Sequence, residues 1–84
     1  MVKEFIYTSS NGTKDRKVFV MKESAHYIEG IDLNLLSPDD ADFIVNTYKD
    51  FTPIVDSTDK VSLEGFNPAW VKAYRQFSKA KIGT

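Results

Sequence analysis

The chain has 84 residues, 42% of them hydrophobic and 27% charged, with a formal net charge of −1. That length holds one domain, residues 1–84, with a small core, because so short a chain buries only about 60% of its unfolded surface. The absence of cysteine excludes disulfides and thiolate metal sites, and no apolar run exceeds four residues, so no segment reads as a membrane span.

Lys3 to Thr8 reads as a strand, with Phe5 and Tyr7 on one face and Ile6 on the other. Ser9-Ser10-Asn11-Gly12-Thr13 is a turn, and its Asn-Gly pair supplies the positive φ angles of a tight hairpin. The Asn11-Gly12-Thr13 sequon is read as part of that turn, since Met1-Val2-Lys3-Glu4 lacks the apolar stretch of a signal peptide. Arg16 to Lys22 is the returning strand. Val18 and Val20 alternate with Phe19 and Met21, so both of its faces are apolar and call for burial. After Glu23-Ser24-Ala25, a third strand runs from His26 to Leu33 with Gly30 inside it. A glycine there marks a bulge, a bend or a close approach of backbones.

The period changes at Ser37-Pro38-Asp39-Asp40. Ser37 can cap a helix, Pro38 fits its first position, and Asp39, Asp40 and Asp42 favour its positive end. Ala41, Ile44, Val45 and Tyr48 form an apolar stripe. The helix is expected to span about 37–50, ending before Pro53. Residues 52–67 read as loop, with Ile54, Val55, Val61 and Leu63 available for short strand pieces. Pro68 to Ile82 fits two periods. Trp70, Ala73, Tyr74 and Phe77 make a helical stripe, while Trp70, Lys72, Tyr74 and Gln76 alternate with Val71, Ala73 and Arg75. Periodicity alone leaves helix and strand open there.

Charge is uneven along the chain. Residues 1–30 carry five basic and four acidic side chains, residues 31–66 two and eight, and residues 67–84 four and none. The ends are basic and the middle acidic, which points to a polarised surface or to local fluctuation in a small protein.

Several of these residues resemble the WYL domain, an SH3-like barrel of bacterial and phage regulators. Phe5-Ile6-Tyr7 resembles the apolar-x-Tyr pattern of its first strand, and Gly12 with Arg16 resembles the opening of its second. His26-Tyr27-Ile28-Glu29-Gly30 is similar to the eponymous Trp-Tyr-Leu strand with its following glycine, His26 replacing the tryptophan. Arg75-Gln76-Phe77-Ser78-Lys79-Ala80-Lys81-Ile82 keeps the spacing of the closing motif. The resemblance covers residues 5–33 and about 72–82, and tips the last segment toward a strand. It implies a mainly β fold with one helix: a small SH3-like or Sm-like β-barrel in which residues 34–67 are an acidic helix-plus-loop insertion. The domain is expected to lack a preceding DNA-reading helix-turn-helix, although many members of the family carry one.

The resemblance also implies a regulatory binding role, for nucleic acid or a nucleotide. Its candidate residues are Tyr7, Arg16, Tyr27, Arg75 and Phe77, with Lys72, Lys79 and Lys81 widening the positive field. Arginine bonds phosphate in bidentate fashion, and aromatic faces stack on bases. Each residue has a plainer reading beside this one. Tyr7, Tyr27 and Phe77 fit a small core, Arg16 and Arg75 fit pairing with an acid of the insertion, and the lysines fit a solvated face.

Catalysis has little to build on. His26 is the only histidine, no Gly-x-Ser-x-Gly elbow or phosphate-binding glycine loop is present, and helix capping accounts for the aspartates better than a metal does. The expectation is a non-enzyme without cofactor or metal, in the cytoplasm (of a host, if viral), with exposed strand edges through which a dimer is possible. The alternative to nucleic-acid binding is a phage-type module that docks a host protein. Asp39, Asp40, Asp42 and Trp70 would then form the contact, Trp70 as an exposed anchor unless it belongs to the core.

Overall fold

The computed structural model describes the backbone of residues 2–9 and 12–78 and the side chains of residues 2, 3 and 15–78. The chain runs β1 (Val2–Ser9), β2 (Gly12–Glu23), β3 (Tyr27–Asp32), a 3-10 turn (Leu33–Leu35), α1 (Pro38–Thr47), β4 (Ile54–Val55), α2 (Pro68–Lys72) and β5 (Tyr74–Ser78). Antiparallel strands dominate, so the mainly β class holds. The sheet order is β1-β2-β3-β5, and β4 lies parallel to the end of β2. Among the described residues β1 and β5 do not pair with each other, so these ladders form an open sheet and do not close the expected barrel.

β2 is the spine because both its faces are apolar. Val18, Phe19, Val20 and Met21 are all buried. Strand alternation sends them to opposite sides of the sheet. Val18 and Val20 join Ile28 and Phe77 in one cluster. Phe19 and Met21 join Ile31, Leu33, Ile44, Trp70 and Ala73 in a second, larger one. Residues 34–67, expected as an insertion, build much of that second core: Leu36, Ala41, Val45, Tyr48, Phe51, Val61, Leu63 and Phe66 pack against it. The ring of Phe19 stacks with Tyr48 at 6.1 Å and meets Phe51 edge-on at 5.3 Å.

Gly30 marks a close approach of backbones and faces a bulge. It sits opposite Val20, and the β2 register shifts between Val20 and Lys22. A bulge bends its strand and tightens the local twist. Lys3 reports the result. It is in register with Val18, yet its Nζ lies 2.8 Å from Glu23 Oε1 at the far end of β2.

Both helices begin with the same device. Ser37 Oγ accepts from the Asp40 backbone N–H at 3.2 Å with Pro38 in the first turn. Asn67 Oδ1 accepts from the Ala69 N–H at 2.9 Å with Pro68 in the first turn. α1 ends at Thr47, earlier than expected, where the Tyr48 N–H donates to the Ile44 carbonyl at 3.0 Å. The final segment, expected from Pro68 to Ile82, is not strand throughout its described part. It is helix to Lys72, then strand from Tyr74 to Ser78, with residues 79–84 outside the described residues. Ala73 joins the two: its N–H donates to the Trp70 carbonyl at 3.0 Å, and its own carbonyl accepts from the Asp32 N–H at 2.8 Å. Val61 and Leu63 enter no strand; they pack on the core as loop residues.

Candidate functional site

The strand register places Arg16, Arg75 and Phe77 on one face of the sheet and Tyr27 on the other. Arg16 lies in line with Val18 and Val20 on β2, and its Nη1 is 3.5 Å from Asp32 Oδ2. Asp32 is 2% exposed, and its Oδ1 also accepts from the Asn34 N–H at 3.1 Å. The acid that pairs with Arg16 thus belongs to β3, not to residues 34–67. Arg75 is opposite Gly30 and Phe77 opposite Ile28, which puts both on the face of Val20 and Ile28. Arg75 is exposed and has no ion-pair partner among the described residues. Phe77 is 6% exposed and belongs to the smaller core cluster. Tyr27 precedes Ile28 in β3 and therefore takes the opposite face, where it is half-buried. Tyr7 lies in β1 opposite Lys14. Its side chain, and all of Lys79 and Lys81, lie outside the described residues.

Tyr27's face carries a polar cluster that sequence reasoning missed. Lys22 is 8% exposed, and its Nζ donates to the Asp59 carbonyl at 2.8 Å and lies 3.9 Å from Glu29 Oε2. Beside it the Tyr74 hydroxyl is pushed up to about 12, first by burial, then by the charge of Glu29 and by Tyr27. Lys22 ties the loop around Asp59 to the sheet. The available signal was its place at the end of the apolar run Val18-Phe19-Val20-Met21.

α1 presents a different surface. Asp39 and Asp42 are exposed, and Asp40 is half-buried at the capped end. No basic residue occurs in α1, and among the described residues none of these aspartates has an ion-pair partner. Trp70 is not an exposed anchor; it is 8% exposed and part of the larger core. Among the described residues the exposed aromatic ring is that of Phe43, at 53%. It follows Asp39 by one helical turn and falls outside the stripe of Ala41, Ile44, Val45 and Tyr48, a signal present in the sequence. Its ring lies 5.6 Å from that of Trp70, whose other neighbour is Phe66 at 6.2 Å. Among the described residues the buried Trp70 Nε1 finds no hydrogen-bond acceptor.

Among the described residues no three histidine or acidic side chains converge on a metal position, and no helix is long and apolar enough to cross a membrane. His26 is exposed, and its backbone N–H donates to Ser24 Oγ at 3.2 Å. Comparison of the chain with protein-family models, curated proteins and solved structures finds no match. The likeness to the WYL domain rests on the quoted residues.

Proposed function

We propose that this chain is a small protein-binding module that docks its partner on the outer face of α1. The observation that carries the reading is Phe43, a half-exposed aromatic next to the exposed Asp42 and one helical turn after the exposed Asp39, on a helix without a basic residue. Aromatic side chains left on a surface are favoured anchors for protein contacts, and an unbalanced acidic field selects and steers basic partners. The nucleic-acid reading has less support. Arg16 is paired with Asp32, Phe77 is in the core, and Tyr27 is on the other face of the sheet.

Affinity capture and oligonucleotide titration separate the two. The unmodified chain retains a protein partner, and the double substitution Asp39→Asn, Asp42→Asn weakens that retention while far-UV circular dichroism stays unchanged. Labelled single-stranded DNA and RNA do not bind at low or high salt. Salt-dependent oligonucleotide binding that Arg75→Ala weakens and the aspartate substitutions leave alone would overturn the proposal.

A further inference from the structure

We infer that the partner segment accepted by α1 is a basic amphipathic helix, anchored by an apolar side chain on Phe43 where it lies over the indole of Trp70. This rests on the protein-docking reading above and adds the chemistry of the partner.

Three observations bear on it. First, α1 already buries its inner stripe, with Ile44 fully buried against the core, so the fold leaves Phe43 a role at the rim. Asp39, Asp42, Phe43 and Asn46 are all exposed on α1, and Phe43 follows Asp39, and Asn46 follows Asp42, by four residues, which groups them on its outer side. That is the spacing at which a second helix lays down its own contacts. Second, the charge is complementary to one kind of partner. The exposed acids of α1 lack partners among the described residues, so lysines or arginines flanking an apolar anchor would meet Asp39 and Asp42 as the anchor meets Phe43. Third, apolar surface continues from Phe43 onto α2. The Phe43 ring lies 5.6 Å from that of Trp70. Val71, the next residue of α2, is a further exposed apolar side chain, at 38%.

The chain has a single tryptophan, so the test reads the site directly. Two synthetic helical peptides of equal length and charge are titrated into the full chain at low salt. One carries leucines at helical spacing among lysines, and the other carries serines at the leucine positions. The leucine peptide is expected to bind saturably and to shift tryptophan emission, with the serine peptide weaker by about tenfold or more. Phe43→Ala weakens the leucine peptide by about tenfold or more, and Phe43→Leu retains most of the affinity. Both variants keep the far-UV spectrum, because the residue is half-exposed. Equal binding of the two peptides, or binding that ignores Phe43→Ala, overturns the apolar anchor while leaving an acidic protein-docking face intact. Absence of binding by either peptide overturns the inference, and the capture experiment above then decides the docking reading separately.

Discussion

At Gly30 the constraint is space rather than backbone angle. A Cβ there would lie 2.0 Å from the Phe19 carbonyl oxygen and 2.8 Å from its carbon. Both are backbone atoms, so no side chain can rotate away to make room. Gly30→Ala must part β2 from β3 beside the bulge, with an expected loss of about 1–3 kcal/mol or more, the range of overpacked interiors. The midpoint of urea unfolding measures it. Tyr74 gives a prediction in pH. Its folded hydroxyl titrates near 12 against 10.0 in the unconstrained side chain. Between those values the unfolded chain has lost the proton that the folded chain keeps, so the unfolded state binds fewer protons and stability falls as pH rises. Below about 10 the contribution is intact, and above about 12 its loss is complete. Tyr74→Phe should flatten this part of the stability profile relative to the unsubstituted chain, and parallel profiles for the two proteins across that window would discard the assignment. The two residues differed in legibility. A glycine inside a strand announces a local exception, and three explanations were open for it. Nothing in a one-dimensional pattern places Glu29 and Tyr27 beside Tyr74, because that meeting depends on the pairing of β3 with β5.

Local rules and tertiary pairing divide the elements in the same way. β1, β2, β3 and α1 were readable because each carries one dominant period and a terminus with its own chemistry. The helix–strand pair at 68–78 was not, because Trp70 and Ala73 enter one core cluster and Phe77 the other. Residues serving two faces through two kinds of structure obey no single period. Asn67-Pro68 was nevertheless present as a start signal, the counterpart of Ser37-Pro38, and reading it so would have placed α2. The caps are testable at this scale. Ser37→Ala removes the side-chain acceptor of the Asp40 N–H and should lower stability by about 1 kcal/mol. Ser37→Asp should keep most of it, since a carboxylate accepts the same bond and suits the helix's positive end. Chemical denaturation of the three proteins side by side measures both. The candidate site follows the same division. The acids of α1 were legible as a capped helix start, whereas the exposed ring at Phe43 and the buried one at Trp70 depended on how α1 and α2 pack.

For the molecule as a whole, the larger core joins residues from every part of the described chain: Val2 of β1, Phe19 of β2, Ile31 of β3, Ile44 of α1, Phe51 and Leu63 of the loop, and Trp70 of α2. A barrel decorated by an insertion would keep its stability when the insertion is weakened. A sheet whose main core is half built by residues 34–67 would not. Ile44→Ala distinguishes these cases. Ile44 is fully buried in α1, and truncating a buried isoleucine to alanine costs about 2–5 kcal/mol. A domain of this size has a total stability on the order of 5–15 kcal/mol, so the loss is a large share of it. If the chain unfolds as one unit, tryptophan emission, which reports the core around Trp70, and far-UV circular dichroism, which reports the sheet, shift to lower denaturant together. A loss of Trp70 burial that leaves the strand signal at its original midpoint would mean that the sheet stands alone and that residues 34–67 are an appendage. The packing of Phe19 between Tyr48 and Phe51 argues for the single transition, because the central strand has one of its two buried faces completed by that segment.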